Sequence, residues 1–317
     1  MKRNRIALLL SVLLLFALSA CGSQPAQTDS GNWTVAATTY PVYLFTRAVT
    51  DGVEGVDTEL IVQQQTSCLH DYTLTVRDMR IIEGADVLVL NGAGLEDFMD
   101  DALAAASASV IDASEGVALL PYTGHADHDH GADEAEGDHY DPHIWMDPER
   151  AAQMVQTIGE GLAQADPDHA ETYRNNAQSA SLQLEELAQT LRDSVEVGQL
   201  ACRELITFHD GFQYFSAAFG FMLLKSIEEE EGSEASARDL AEIVSLVEEY
   251  QLPAIFTEVN GSDASAQAIA RETGVQVCTL DMIMSGDGDS LDSYCEAMTE
   301  NVSTIVKALQ EGQVTGA

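Results

Sequence analysis

The chain breaks a regular alternation of β-rich and amphipathic stretches once, with a long segment that contains no β-rich run, and that break restricts its fold more than any other feature. Ahead of the break, β-rich runs fall at 34–39, 59–62, 87–90 and 110–111; behind it they fall at 205–208, 221–224, 255–257 and 275–280. Such alternation argues for α/β layers around mainly parallel sheets. Equal counts on either side predict two similar lobes, each with a four-stranded sheet. The segment itself, residues 147–195, is broken at Asp166-Pro167, where proline suits a helix start. Its second part spaces Tyr173, Ala177, Ala180, Leu184, Leu187, Leu191 and Val195 by three and four, one apolar face of a long helix. A helix of ~25 residues runs nearly 40 Å. It can join both lobes as a rigid backbone, although periodicity equally allows a helix packed within one lobe.

The N-terminus reads as a targeting signal. Lys2, Arg3 and Arg5 precede an apolar run over residues 6–20, short for a bilayer span of ~20 residues. The run ends Leu18-Ser19-Ala20-Cys21, which resembles a bacterial lipobox, with Cys21 as the lipidated first residue of the mature protein. A polar tether follows. The expected organisation is a signal peptide at 1–20, a tether at 21–32, a first lobe at 33–147, linker helices at 148–196 and a second lobe at 197–317. Cys68, Cys202, Cys278 and Cys295 remain, enough for two disulfides in an oxidising compartment, and sequence cannot choose their pairing. No C-x-x-C pair suggests a zinc knuckle.

Charge excludes one large class of function. With 14 Lys+Arg against 53 Asp+Glu the formal net charge is −39. Phosphate backbones and anionic lipid surfaces attract clustered Lys and Arg, so nucleic acid is excluded as a partner. The acid excess favours a cation, with a merely solvated anionic coat as the plainer alternative.

Eight histidines are present, and four of them, His125, His128, His130 and His139, crowd an acidic stretch at 124–141 that has no Lys, Arg or large aliphatic residue. That stretch reads as a loop, with either a loose metal-gathering role or none beyond solubility. A tight site should lie elsewhere. His70 sits in Thr66-Ser67-Cys68-Leu69-His70-Asp71-Tyr72, His143 between two prolines in Asp141-Pro142-His143-Ile144-Trp145-Met146-Asp147-Pro148, and His209 directly after a strand in Phe208-His209-Asp210-Gly211-Phe212. Asp281 follows the strand ending at Leu280. Ligands of open α/β sheets bind outside the carboxyl ends of strands. Three histidines and a carboxylate are a workable tetrahedral set for Zn²⁺. Asp71 and Asp210, next to candidate ligands, could orient an imidazole. His169, at a helix start, reads as a surface residue.

These motifs, in this order from about Trp33 to Gln310, resemble the zinc- and manganese-binding solute-binding lipoproteins of bacterial ABC importers, a family that includes metal-binding adhesins. Further marks are Gln213-Tyr214-Phe215 after the His209 turn and Glu234-Ala235-Ser236-Ala237. The resemblance implies two α/β lobes joined by one rigid helix, with metal in the cleft. It implies His70 and His143 as ligands from the first lobe, and His209 and Asp281 from the second, water or another acid replacing the last in some zinc members. Glu258 matches a family acid of supporting or structural role. Many members have proline shortly before the first histidine, where this chain has Cys68-Leu69, which puts a thiol near the site. Members with Glu at the third position tend to take manganese, and His209 there points to zinc.

The function expected is therefore a lipid-anchored, extracytoplasmic, monomeric receptor that passes Zn²⁺ to an ABC permease. A zinc hydrolase is the alternative from another class, since three histidines and an acid also describe catalytic sites, but neither H-E-x-x-H nor G-x-S-x-G occurs. A manganese receptor and an adhesin are the remaining readings, the latter without a motif.

Overall fold

The computed structural model describes residues 32–63, 69, 72–122, 140–200, 202–227, 236–259, 261 and 263–311. The signal, Cys21, the tether, Cys68, His70, Asp71 and the four histidines of the 124–141 stretch lie outside the described residues.

All eight expected strands form: β1 (Trp33–Ala37), β2 (Val56–Leu60), β3 (Val87–Leu90), β4 (Ser109–Asp112), β5 (Glu204–Thr207), β6 (Met222–Ser226), β7 (Ala254–Glu258) and β8 (Gln276–Leu280). They make two four-stranded sheets of order β2-β1-β3-β4 and β6-β5-β7-β8. The two orders are the same, so the lobes repeat one topology. Parallel registers such as Val35↔Val87, Val87↔Ser109 and Ile255↔Val277 define them. Central strands are buried on both faces and read as continuous apolar runs; β3 and β7 are of this kind. The edge strand β2 alternates exposed and half-buried positions. It begins three residues earlier than the expected run, because the polar Asp57 and Thr58 lie within it.

Nine helices are described: α1 (Tyr40–Thr50), α2 (Val76–Gly84), α3 (Asp100–Ala105), α4 (Pro148–Ala165), α5 (Ala170–Gly198), α6 (Gln213–Phe219), α7 (Ala237–Tyr250), α8 (Ala264–Thr273) and α9 (Leu291–Glu311). Their ends follow local chemistry. Thr75 and Asp78 form a reciprocal capping box on α2. Asp147 caps α4 with Pro148 in its first turn, and Ser236 caps α7.

The strandless segment is α4, a short turn at Pro167–His169, and the 29-residue α5. At 1.5 Å per residue α5 runs about 44 Å. Tyr173, Ala177, Ala180, Leu184, Leu191 and Val195 are buried as expected, while Leu187 is half-buried and Ala188 takes the inner position. The cause is the 100° step of the helix, which over so many turns drifts the apolar stripe off strict sevenfold spacing. A Cβ on Gly159 of α4 would overlap that of Ala177, so the two helices cross at close range. Asn176 on α5 donates to the Val49 and Asp51 carbonyls at the end of α1, and Gln310 of α9 donates to Gly198 at the far end of α5. α5 thus joins the halves, which excludes the alternative of a helix packed within one lobe. His169 is bonded to Asp166 at 2.6 Å on the surface of the helical turn. Cys202 and Cys295 are free thiols, so the two-disulfide arrangement does not form. Among the described residues no helix is long and apolar enough to cross a membrane.

Candidate metal centre

The carboxyl ends of the strands in both sheets carry the residues of interest. Prolines flank the segment 141–148, and its dipeptide Asp141-Pro142 holds the backbone extended ahead of His143. The buried Asp141 carboxylate folds forward. Its Oδ1 accepts from the His143 backbone N–H at 2.9 Å and lies 2.7 Å from His143 Nδ1. With Nδ1–H donated to the carboxylate, Nε2 keeps its lone pair, the arrangement that metal-binding histidines adopt. Tyr214 locks the same residue from the second half, donating its hydroxyl to the Asp141 carbonyl at 2.8 Å.

A second anchor lies behind His143. Asn91, just past β3, donates to the Pro142 carbonyl at 2.9 Å. The Asn91 and Gly92 N–H groups in turn donate to the buried Glu96 carboxyl at 2.7 and 3.0 Å, and Thr38, just past β1, donates to it at 2.6 Å. Burial pushes the Glu96 carboxyl up to about 7 against these donors. Glu96 therefore ties the ends of β1 and β3 together beneath the segment that carries His143.

His209 follows β5, and its carbonyl accepts from Thr207 Oγ1 at 3.0 Å. The His143 and His209 side chains meet, with ring centroids 5.6 Å apart and planes at 83°. They are 4% and 5% exposed. Two imidazoles bound to one tetrahedral ion at about 2.0–2.1 Å have centroids roughly 5 Å apart, so the pair sits at nearly the spacing a shared ion needs. Close approach depends on Gly211, where a Cβ would overlap Met282 Cε and lie 3.1 Å from His143 Cδ2.

The electrostatics suit a cation. Asp141 Oδ2 is buried without a hydrogen-bond partner among the described residues. Asp210 is also buried, and burial raises its carboxyl, with the Tyr122 hydroxyl and the His143 ring opposing the shift and the Asp141 charge adding to it. Leaving a buried charged acceptor unpaired costs on the order of 1–3 kcal/mol or more. A divalent ion beside the two imidazoles would offset that cost.

The structure places the other candidates as follows. Asp210 accepts from Ser226 Oγ at 3.4 Å. Glu258 is buried at the end of β7, paired in register with Leu280. Asp281, one residue further on, is half-buried; its Oδ1 accepts from the Ile283 N–H at 2.7 Å, and Asn301 grips its backbone N–H and C=O at 2.8 and 2.7 Å. Burial raises its carboxyl, opposed by the Ile283 N–H. Among the described residues no group of three or more His, Cys, Asp or Glu lies close enough to hold an ion. The structure thus brings together His143 and His209, while Asp281 follows the end of β8 and forms no such group with them, and His70 lies outside the described residues.

A family model described as ZnuA, zinc-uptake complex component A, periplasmic, matches residues 35–308. The chain belongs to this family. The zinc-binding lipoprotein AdcA of Streptococcus pneumoniae is 30% identical over 320 residues, which cover 98% of this chain and 62% of AdcA, so the chain spans less than two thirds of that relative's length. A putative metal-binding protein of Treponema pallidum is 34% identical over 252 residues, 78% of each chain. The Zn(II)-bound structure of an AdcAII mutant variant from Streptococcus pneumoniae superposes with a TM-score of 0.73 at 30% identity, covering 88% of this chain and 99% of that one.

Within this family member, sequence reasoning passed over Asp141, Asn91, Glu96 and Gly211 as supports of the site. Asp141 carried a readable signal, because an aspartate two residues before a histidine can bond that residue's N–H in a turn. The others carried none, since their roles depend on which backbones approach in the folded chain.

Proposed function

We propose that the protein is an extracytoplasmic zinc receptor that captures Zn²⁺ and delivers it to the permease of an ABC importer, and that it is not an enzyme. The observation that carries this reading is the buried His143–His209 pair, with Asp141 behind His143, joining the ends of the two sheets. The zinc-binding names of the AdcA relatives support the choice of cargo. His70 and His143 belong to the first lobe and His209 to the second, with Asp281 as the fourth ligand. The lobes divide at 33–147 and 197–317, with residues 148–196 as the linker. Asp71, Asp210 and Glu258 support the site, and His125, His128, His130 and His139 gather ions near it. Cys21 carries the lipid anchor, and the protein acts as a monomer.

Capture follows from the chemistry of the donors. Nitrogen donors favour Zn²⁺ over Mn²⁺ by the usual order of affinities, which sets zinc above the manganese alternative. The cargo binds between groups from both sheets, so it draws the halves together as it is held. Element analysis of protein purified without chelator, followed by competition between Zn²⁺ and Mn²⁺, tests the reading. Bound zinc that manganese does not displace supports it; protein that takes manganese in preference contradicts it.

A further inference from the structure

Residues 281–290, between β8 and α9, begin with the carboxylate assigned above as the fourth ligand and are held from outside their own lobe. Ile283, buried and β-branched, has φ of +60°, a left-handed conformation that such a residue rarely adopts. Strain of this kind persists only where the surroundings over-determine the backbone, and it concentrates at functional sites. Asn301 grips the start of this stretch from within its own lobe, and the first lobe supplies further contacts. Just before Ile283, the Trp145 indole donates to the Met282 carbonyl at 2.9 Å. Five residues after it, the Tyr40 hydroxyl at the start of α1 donates to the Gly288 carbonyl and accepts from the Gly288 N–H, both at 3.1 Å. A Cβ on Gly286 would come within 2.5 Å of that hydroxyl, so the loop approaches the tyrosine this closely only with glycine there, and one on Gly288 would overlap Ser293 Oγ. Two turns along α1, Arg47 Nε donates to the Asp289 carbonyl at 3.3 Å and its guanidinium lies 3.7 Å from the Asp289 carboxylate. Burial, and then the nearby Asp281 and Asp287 charges, raise the Tyr40 hydroxyl against the Gly288 and Ser293 bonds, which places Asp281 within electrostatic reach of the tyrosine.

We infer that Tyr40 is a positioning residue for Asp281: by holding Gly288 at both its N–H and C=O, it keeps the strained loop in the form in which the Ile283 N–H orients the Asp281 carboxylate toward the metal. The inference rests on the proposed ligand role of Asp281. Tyr40 touches neither imidazole in this role. It acts from the first lobe on a ligand that the second lobe presents just past the end of β8, so the carboxylate is presented correctly only while the lobes are latched. Released from Tyr40, the loop is free to return Ile283 to negative φ, which rotates the peptide that holds Asp281 Oδ1.

The test is a double-mutant cycle on zinc affinity, measured by competition with a chromophoric chelator, with the metal-free melting temperature recorded for each variant. Tyr40→Phe keeps the ring and removes only the hydroxyl. It should weaken zinc binding about tenfold, at the lower end of what supporting partners of metal ligands contribute, with little change in the metal-free melting temperature. Asp281→Asn should weaken it at least as much. The double variant should bind no more weakly than Asp281→Asn, within about twofold, because a latch has no effect once its carboxylate is gone. Arg47→Met, at a half-exposed position on the same clamp, should give a smaller loss in the same direction and keeps the test available should Tyr40→Phe fold poorly. Losses that multiply in the double variant would overturn the inference, as would wild-type affinity in Tyr40→Phe alongside a clear loss in Asp281→Asn. Wild-type affinity in Asp281→Asn would instead remove the ligand assignment, and the latch with it.

Discussion

Asp141→Asn isolates the orientation of one imidazole from everything else at the site. The substitution keeps the shape of the side chain and an oxygen that can still accept from the His143 N–H at 2.9 Å. What it removes is the charge facing His143 Nδ1 at 2.7 Å. Hydrogen bonds to charged groups contribute about 1.5–3 kcal/mol and neutral ones about 0.5–1.5 kcal/mol, so each of the two contacts weakens by roughly 1 kcal/mol. The contact to the backbone N–H is present with and without metal and cancels in the binding free energy. The contact to Nδ1 does not cancel, because the ring becomes a stronger donor as Nε2 binds the ion. A loss of roughly 1 kcal/mol, or about fivefold in affinity, is expected, growing toward a hundredfold if the ring also loses its preferred tautomer. The metal-free protein should change little in stability, since Asn also removes a buried negative charge and its repulsion with Asp210. Zinc competition titrations and metal-free urea unfolding measure the two quantities separately. Wild-type zinc affinity in the variant, or an affinity loss matched by an equal loss of metal-free stability, would refute the orienting role.

Glu96→Gln should show a pH dependence with a definite sign. The folded carboxyl, pushed up to about 7 by burial against an ordinary 4.5, binds its proton more tightly than the unfolded chain does. Its contribution is fully present below about pH 4.5 and is lost as pH rises through about 7, up to roughly 3 kcal/mol in all. Glutamine cannot ionise, so the stability of metal-free Glu96→Gln relative to wild type should rise between pH 5 and pH 8 in urea unfolding; a gap that ignores pH would contradict the origin assigned to the shift. Gly211→Ala should weaken zinc binding about tenfold and lower the metal-free stability by about 1–3 kcal/mol, because its Cβ presses on Met282 and His143; unchanged affinity in the same titration would show that the approach at Gly211 does not hold the imidazole in place.

The fold was legible in the sequence wherever burial wrote a period into it. Four apolar runs on each side of the strandless segment became two sheets of the same order, and Pro167 separated α4 from α5 where proline has to. The early start of β2 was hidden because an edge strand has water on part of its surface, so polar residues such as Asp57 and Thr58 can lie within it. At the candidate site, His143 and His209 were singled out from chemistry, His143 between two prolines and His209 directly after a strand. The residues that make them a site were not. Glu96 looks like any surface glutamate in a helix-rich acidic chain until Thr38, Asn91 and Gly92 are folded around it, and the latch on residues 281–290 joins positions nearly 250 apart. Such partners are set by how two lobes pack, which no local pattern encodes.

The central claim is that one zinc ion is held by groups from both lobes, and His209→Ala tests it most directly. Each lobe has its own sheet, so the variant should fold and its metal-free melting temperature should change little. Ligand binding adds native-state stability of about 4 kcal/mol at a thousandfold excess over Kd. The wild-type protein should therefore melt several degrees higher with zinc than without, and His209→Ala should lose most of that rise. A variant that folds and keeps the full zinc-induced rise would contradict the account, because His209 would then contribute no ligand and no metal would join the lobes through it.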